Sequence, residues 1–278
     1  VNEVDADNNN DYSEATMYLK GTPNPAGDGS GQVWTSAVEL GGSEIAWSFT
    51  QDRNQQMLMG TWGGSIYRVV EDTTVTLKKI NAGMGVAYVW SLATSGSNIF
   101  AGTERGVYGS ANDGDTWSLL GLSGFDVRSV AVFGSTLYAG TWGAGLYTST
   151  DNGATWVKDE GFSTTPIHSM VINTNGDVYV GTYGEGVKLK KSGETTWVPN
   201  KVGNNFVWSL TQNTQGVLFA GTYGDGLWFS NDNGANWNKF LLGNKARHIY
   251  SLATDNLNNV YASSWNSGVY KMSGFTRN

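Results

Sequence analysis

The stretch LYAGTWGAGLYTSTDNGATW, residues 137–156, contains the features that decide the fold. Its beginning alternates apolar and small residues up to the pair Gly140-Thr141, a glycine-rich turn follows, and alternation resumes at Leu146. Alternation with a period of two, interrupted by glycine turns, predicts two antiparallel β-strands joined by a tight hairpin. The stretch ends in a second turn, from Ser149 to Trp156.

The Gly-Thr pair recurs along the chain at intervals of 38 to 42 residues. A period in this range is typical of propeller and solenoid repeats. The sixth copy has diverged to Ser-Ser, and the copies begin at Gly60, Gly102, Gly140, Gly181, Gly221 and Ser263. Six copies predict an all-β, six-bladed β-propeller of four-stranded antiparallel blades.

A second marker keeps the same step and opens an alternating apolar run in each repeat. It is an aromatic or basic residue followed by serine, and the run after it predicts the innermost strand of a blade. The six residues are Trp47, Trp90, Arg128, His168, Trp208 and Tyr250.

A third marker is the turn that ends the quoted stretch. Ser149, Asp151, Gly153 and Trp156 have counterparts at the same spacing from Ser110 to Trp117 and from Ser230 to Trp237, with a shortened relative from Ser192 to Trp197. The serine hydroxyl and the Asp or Asn oxygen can accept turn N–H groups, and glycine takes a positive φ. This motif resembles the Asp-box, or BNR repeat, of the sialidase-like β-propellers. The resemblance implies that the boxes are structural turns between the third and fourth strands, away from the axis.

The two chain ends are predicted to cooperate in the propeller. We expect residues 1–29 to form an acidic, extended segment and residues 30–278 to form one propeller domain. The last repeat stops near Met272 without its outermost strand, so a strand near residues 32–38 is predicted to complete the last blade and remove its exposed edge. A seven-bladed propeller is the alternative, because Met17 to Thr22 resembles a second strand, although that blade would lack an inner strand.

Composition limits the partners and the location. The formal net charge is −7, and no basic stripe is present to neutralise phosphates, so nucleic acid is not an expected partner. No apolar run approaches the roughly 18 residues of a membrane span. Cysteine is absent, which excludes disulfides and thiolate metal sites. The polar, acidic stretch after Val1 is as expected for a mature terminus after signal cleavage, so we expect a secreted or periplasmic protein.

The residue after each Gly-Thr copy is aromatic in five of six repeats: Trp62, Glu104, Trp142, Tyr183, Tyr223 and Trp265. The strand order of these propellers places these residues and the six that open the inner strands on one face, around the channel mouth. Packing between blades is the alternative for each single aromatic residue. Burial of Arg128, His168 and Glu104 in an apolar contact without polar partners would cost free energy, so we expect these positions to be exposed to solvent. The sequence thus predicts an aromatic ligand-binding face.

Catalytic and metal sites are not predicted. Glu185 and Asp225 lie at matching hairpin tips, and paired carboxylates serve glycosidases, but solvated hairpin carboxylates are the favoured interpretation. His168 and His248 have no visible third ligand. Asp5 to Asp11 alternates oxygen ligands as a calcium loop does, yet it lacks the required glycine and has Thr16 at the twelfth position, which favours a plain acidic terminus. No cofactor is expected.

The resemblance to sialidases can be tested by comparing their catalytic residues with the residues of this chain. Those enzymes hold a substrate carboxylate with three arginines, one in an Arg-Ile-Pro motif, and use a Tyr–Glu nucleophile pair with an Asp acid. This chain has no Arg-Ile-Pro, and only Arg128 and Arg247 lie near the start of an inner strand. Similar propellers that cleave xyloglucan join two domains around a cleft, which a single propeller lacks.

We therefore expect a carbohydrate-binding, lectin-like propeller rather than an enzyme. Its predicted partner is a glycan or polysaccharide. A platform for protein interaction or assembly, as Asp-box propellers form in photosystem assembly factors, is the alternative. A glycoside hydrolase with an unrecognised site is the third possibility.

Overall fold

The computed structural model describes residues 16–22, 33–40, 44–71, 75–240, 246–255, 257–264 and 268–272. All regular structure in these ranges is β-strand, so they contain no helix that could cross a membrane. The chain divides into two compact units, Val1–Val127 and Arg128–Asn278, which are described in turn as the N-terminal and C-terminal units.

The N-terminal unit contains a two-stranded sheet and two blades, each antiparallel. The N-terminal sheet pairs β1 (Thr16–Thr22) with β2 (Val33–Glu39). Blade 1 consists of β3 (Ile45–Gln51), β4 (Met57–Trp62), β5 (Ile66–Glu71) and β6 (Val75–Lys79). Blade 2 consists of β7 (Val89–Ser95), β8 (Asn98–Thr103), β9 (Gly106–Ser110) and β10 (Ser118–Gly121).

The C-terminal unit contains the other four blades, and β11 begins one residue before it. Blade 3 consists of β11 (Val127–Phe133), β12 (Thr136–Thr141), β13 (Leu146–Ser149) and β14 (Val157–Lys158). Blade 4 consists of β15 (Ile167–Ile172), β16 (Val178–Thr182), β17 (Val187–Lys190) and β18 (Val198–Asn200). Blade 5 consists of β19 (Val207–Gln212), β20 (Leu218–Thr222), β21 (Gly226–Ser230) and β22 (Asn238–Phe240). Blade 6 consists of β23 (Ile249–Thr254), β24 (Val260–Ser264) and β25 (Gly268–Met272).

Six antiparallel blades in chain order make this a six-bladed β-propeller, which confirms the predicted fold class. Residues Met17 to Thr22, which suggested a seventh blade, lie in β1. Among the described strands, β1 pairs with β2 alone. The described part of blade 6 has three strands, and the strand expected to complete it is found as β2, paired with β1. Completion of blade 6 by this strand, like the division at residue 30, stays a prediction.

The Gly-Thr pair has a steric and a hydrogen-bonding role. A Cβ atom at Gly181 would lie 2.6 Å from Oγ of Ser169 and 2.9 Å from a methyl group of Val207 in the next blade, so only glycine permits this approach. The buried hydroxyl of Thr182 donates to the carbonyl of Gly186 at 2.8 Å. Glycine therefore sets the spacing between blades, and threonine closes the hairpin between the second and third strands of the blade, here β16 and β17.

The predicted box turns have the expected local geometry. Oγ of Ser149 accepts the N–H of Gly153 at 2.8 Å, and Oδ1 of Asp151 accepts the N–H of Thr155 at 2.9 Å. Gly153 has φ +89°, which favours glycine. The same bonds recur from Ser110 and Ser230. The turns are thus held by their own side chains, between the third and fourth strands of blades 2, 3 and 5.

Candidate functional site

A β-bulge occurs at the same place on the inner strand of five blades. In blade 4, for example, Ile167 pairs with Thr182 and Ser169 with Gly181, which leaves His168 between them without a partner on β16. A bulge of this kind takes one residue out of the ladder and redirects its side chain. The bulged residues are Trp47, Trp90, His168, Trp208 and Tyr250, all of them predicted site residues.

The residue after Gly-Thr is tied by its backbone to the connection that enters the next blade. Tyr183 forms an isolated antiparallel bridge with Phe206, and Tyr223 forms one with His248. Phe206 and His248 each lie two residues before a bulged aromatic residue, Trp208 and Tyr250. The bridges thus bring the two predicted sets of residues together at the same end of neighbouring blades.

In the N-terminal unit these residues form the N-terminal aromatic cluster, made of Trp47, Trp62, Tyr88 and Trp90. Tyr88 stacks on Trp90 with centroids 4.7 Å apart, and Trp47 meets Trp90 edge-on at 5.4 Å. Trp47 and Trp62 are exposed, but Trp90 is buried. The expectation that all of these sites are open to solvent is therefore wrong for Trp90, because the neighbouring rings cover its indole.

Glu104 holds the loop of this cluster in place. Its carboxylate accepts the N–H groups of Ala87 and Tyr88, at 2.7 and 3.0 Å, and lies 3.5 Å from the guanidinium of Arg105. A charged residue stands at this position in the repeat because backbone donors and an arginine satisfy it. Whether Glu104 also contacts a ligand stays a prediction.

The C-terminal unit holds a larger group, the C-terminal aromatic cluster, made of Trp142, His168, Tyr183, Phe206, Trp208, Tyr223, His248 and Tyr250. His168 lies between Trp142 and Trp208, with centroid distances of 4.8 and 4.6 Å. Trp208 in turn contacts Tyr223 at 5.6 Å and Tyr250 at 4.2 Å. Six of the predicted site residues are thus continuous in this unit, and Phe206 and His248 join them.

His168 is a half-buried, neutral ring between Trp142 and Trp208. Burial lowers the pKa of His168 to about 3, and the positive charge of Arg128 acts in the same direction. The guanidinium of Arg128 lies 5.4 Å from the ring centroid of Trp142. His168 is half-buried, so it is only partly open to solvent, and a histidine that stays uncharged can pack among aromatic rings.

Three buried polar atoms of the C-terminal aromatic cluster lack a hydrogen bond to any described residue. They are Nε2 of His168, Nε1 of Trp208 and Nδ1 of His248. Buried polar groups in native proteins normally have a partner, often a water molecule or a ligand atom. Each of these atoms therefore needs a hydrogen-bond partner that the described residues do not supply.

The hairpin carboxylates are paired with lysines. The carboxylate of Glu185 lies 2.6 Å from Nζ of Lys188 and accepts the hydroxyl of Thr165, and Asp225 pairs with Lys239. Burial acts to raise the pKa of Glu185, but the bonds from Lys188 and Thr165 together hold that pKa below its ordinary value. Glu185 is thus poorly suited to donate a proton, as a glycosidase acid must.

Other candidate sites can be placed only in part. The described residues contain no group of three or more His, Asp or Glu side chains that could hold a metal ion. Trp265 and the stretch from Asp5 to Asp11 lie outside the described residues. A cavity in the C-terminal unit is lined by residues 173–175, 212–214 and 216 and by Asn233, none of which carries a carboxylate.

Three solved structures show what the fold is similar to. YCF48 bound to D1 peptide is 15% identical, with a TM-score of 0.62 over 94% of this chain and 82% of that chain. The extracellular domain of a putative one-component system from B. thetaiotaomicron is 14% identical, with a TM-score of 0.61 over 94% and 40%. The GH74 xyloglucanase from Xanthomonas campestris is 16% identical, with a TM-score of 0.61 over 81% and 44%.

At these identities the likeness shows the propeller fold alone. No protein-family model and no curated protein sequence matches the chain. Membership of the Asp-box family therefore stays a prediction from the turn motifs, and the binding properties of these neighbours bear on this chain only as proposals.

Proposed function

We propose that this chain is a carbohydrate-binding propeller and that its C-terminal aromatic cluster holds a neutral glycan. One observation carries the proposal: Trp142 and Tyr223, which follow Gly-Thr in blades 3 and 5, are 42% and 40% exposed. Each ring rests on aromatic neighbours of the same cluster. Exposed indole and phenol rings offer a flat apolar surface with a polar tip, which suits the apolar face of a sugar.

The rings are held ready for binding. The hydroxyl of Thr141 donates to the carbonyl of Gly145 at 2.8 Å and closes the hairpin that carries Trp142. Thr222 makes the same bond to Gly226, also at 2.8 Å, and the N–H of Tyr223 donates to the carbonyl of Phe206. A surface ordered in advance loses less conformational entropy when a ligand binds.

The polar groups of the C-terminal aromatic cluster favour a ligand with hydroxyl groups. A hydroxyl both donates and accepts, so a sugar hydroxyl or a water molecule that it orders can satisfy Nε1 of Trp208 and Nε2 of His168 together. The nearby carboxylates of Glu185 and Asp225 are balanced by Lys188 and Lys239. We therefore expect the ligand to be uncharged. Export from the cell is part of this proposal, as one similar structure is an extracellular domain.

A polypeptide is the second candidate ligand for the same rings. Its support is the similarity to YCF48 bound to D1 peptide, which spans nearly the whole of both chains, whereas the xyloglucanase match spans 44% of the enzyme. Aromatic rings with polar tips also suit peptide groups.

Parallel arrays of glycans and peptides, probed with the labelled protein, separate the two candidates. The proposal predicts saturable binding to a set of neutral glycans and no binding to peptides. Binding confined to peptides would replace the first candidate by the second, and binding to neither would reject the assignment.

A further inference from the structure

A small cavity lies at the end of blades 4 and 5 that is away from the C-terminal aromatic cluster. It has a volume of about 130 Å³ and is lined by the turn after β15, the turn after β19 and the box turn after β21. The bulged residues His168 and Trp208 lie near the beginning of β15 and β19, whereas the cavity lies beyond the ends of these strands. The length of the strands therefore separates the cavity from the aromatic rings.

The described residues that line the cavity are all uncharged. They comprise five asparagine or glutamine amides, two threonines and one glycine. Amide and hydroxyl groups can both donate and accept hydrogen bonds. A charged ligand would lose its water here without meeting an opposite charge, and an apolar ligand would leave these polar groups unpaired. The lining thus favours an uncharged ligand that carries both donors and acceptors.

The turn after β15 has a counterpart in blade 1 of the N-terminal unit. Oδ1 of Asp52 accepts the N–H groups of the residues two and four positions later, and Oδ1 of Asn173 does the same in blade 4. Arg53 and Thr174, the next residues along the chain, therefore occupy the same position of the turn. Because threonine is much shorter than arginine, the turn of blade 4 leaves space that an arginine side chain fills in blade 1.

The box turns of blades 2 and 5 also correspond. Asp113 and Asn233 have φ of +56° and +58°, and each directly precedes the turn glycine. Each box turn is bonded to the preceding blade, since Arg68 donates to the carbonyl of Asp113 and Tyr179 to the carbonyl of Asn233. In the N-terminal unit the guanidinium of Arg53 also donates to the carboxylate of Asp113, at 2.7 Å. In the C-terminal unit a threonine and an asparagine replace both charged partners of this ion pair.

We propose that this amide-lined cavity is a second binding site, which takes one neutral sugar residue. The space left by the missing arginine sets its size, and the loss of both charges sets its preference for an uncharged ligand. Sites that enclose drug-sized molecules begin at roughly 300 Å³, so this smaller cavity suits a single sugar residue. The hydroxyl groups of a sugar donate and accept, as the amides of the lining do.

Two side chains of the lining can bond to the sugar directly. Nε2 of Gln212 donates to the carbonyl of Gly216 at 3.1 Å, which orients the amide so that its Oε1 can accept a hydroxyl. The side-chain amide of Asn175 is exposed and can donate and accept. The buried side chains of Asn173 and Asn213 hold the two turns by accepting backbone N–H groups. The site is therefore ordered before the ligand arrives, which reduces the entropy lost on binding.

NMR titration of the isotope-labelled full chain tests the proposal. The probes are glucose, galactose, mannose and xylose, each added through the millimolar range. Signals are read residue by residue, so binding in the cavity is distinguished from binding at the C-terminal aromatic cluster, and either site can fail without the other.

Two variants and a matched control accompany the wild type. Asn175→Ala removes one amide of the lining. Its control is Gln215→Ala, because Gln215 is exposed and holds the same position in the turn of blade 5 but does not line the cavity. The double variant Thr174→Arg with Asn233→Asp introduces the ion pair of the N-terminal unit and fills the cavity.

At least one of the sugars should shift the side-chain amide signals of Asn175 and Gln212 saturably. Asn175→Ala should weaken this binding at least about threefold and the double variant at least about tenfold, while Gln215→Ala should bind as wild type does. Equal affinity in Asn175→Ala and Gln215→Ala would overturn the proposal, whether or not the double variant folds. Unchanged affinity in a folded double variant would also overturn it. So would amide shifts with guanidinium chloride but with none of the sugars, or no shift with any of these probes.

Discussion

The imidazole of His168 lies against the indole of Trp208, with ring centroids 4.6 Å apart and planes tilted by 30°. The contact joins the inner strands of blades 4 and 5 at their bulges, and it leaves Nε2 of the histidine and Nε1 of the tryptophan buried without a described partner. The contact depends on an uncharged imidazole.

Acid should destabilise the protein through His168. Its pKa is about 3 in the folded protein and 6.5 ordinarily, so between these values the unfolded chain binds more protons. The stabilisation by neutral His168 is complete above pH 6.5 and is lost as the pH falls towards 3, at up to about 1.4 kcal/mol per pH unit. Chemical denaturation at pH 7 and pH 4.5 measures this loss. The variant His168→Phe should lose less stability over the same range, and an identical loss in both proteins would contradict the prediction.

Removal of the Thr222 hydroxyl should loosen the hairpin that carries Tyr223. The buried hydroxyl donates to the carbonyl of Gly226 at 2.8 Å and accepts the N–H of Asp225 at 3.2 Å. We expect Thr222→Val to lower the free energy of unfolding by about 1–3 kcal/mol, since it leaves buried backbone groups unpaired. Thr222→Ser, which keeps the hydroxyl, should lose less than Thr222→Val in urea unfolding. Equal losses would show that the methyl group, not the hydroxyl, matters.

The box turn of blade 3 offers a matched pair of neighbouring hydroxyls. Ser149 is buried and bonds to both Gly153 and Asp151, whereas Thr150 is exposed. Ser149→Ala should lower the free energy of unfolding by about 1–2 kcal/mol, and Thr150→Ala should change it by less than about 0.5 kcal/mol. Asp151→Asn should be close to neutral at pH 7, because Asn112 holds the same position in the turn of blade 2. A larger loss for Thr150→Ala than for Ser149→Ala would contradict this description of the turn.

Much of the fold was predictable because its repeats carry their own chemistry. The close approach at Gly181 and the hydroxyl bond of Thr182 require glycine and threonine, so the pair marks every hairpin except the diverged last copy. The box turn likewise needs a serine and an Asp or Asn at fixed spacing. These are local requirements, and local requirements are visible in a sequence.

The division of the aromatic residues into buried and exposed ones was not predictable. Trp47 and Trp90 occupy equivalent positions and are the same residue type, but the neighbouring rings cover Trp90 and leave Trp47 exposed. The bulges were also missed, because a bulge is a property of strand register. Tyr88, Phe206 and His248 had a usable signal that was overlooked: each lies two residues before a bulged aromatic residue.

The turns that join the first and second strands of the blades were not predicted either. The side chains of Asn173 and Asn213 each accept two N–H groups, from the residues two and four positions later. Asp52 and Asp255 do the same in blades 1 and 6. The spacing of these Asp and Asn residues before the second strand is a turn signal that the sequence contains.

Calorimetric titration of a glycan from the array into three proteins tests the central claim most directly. Wild type is compared with Trp142→Ala and with Phe133→Ala. Phe133 is the last residue of β11, lies outside the C-terminal aromatic cluster and has an exposure similar to that of Trp142. We predict that Trp142→Ala weakens binding at least about tenfold, or by about 1.4 kcal/mol, while Phe133→Ala binds as wild type does. Unchanged affinity in Trp142→Ala would contradict the assignment of the C-terminal aromatic cluster as the glycan site.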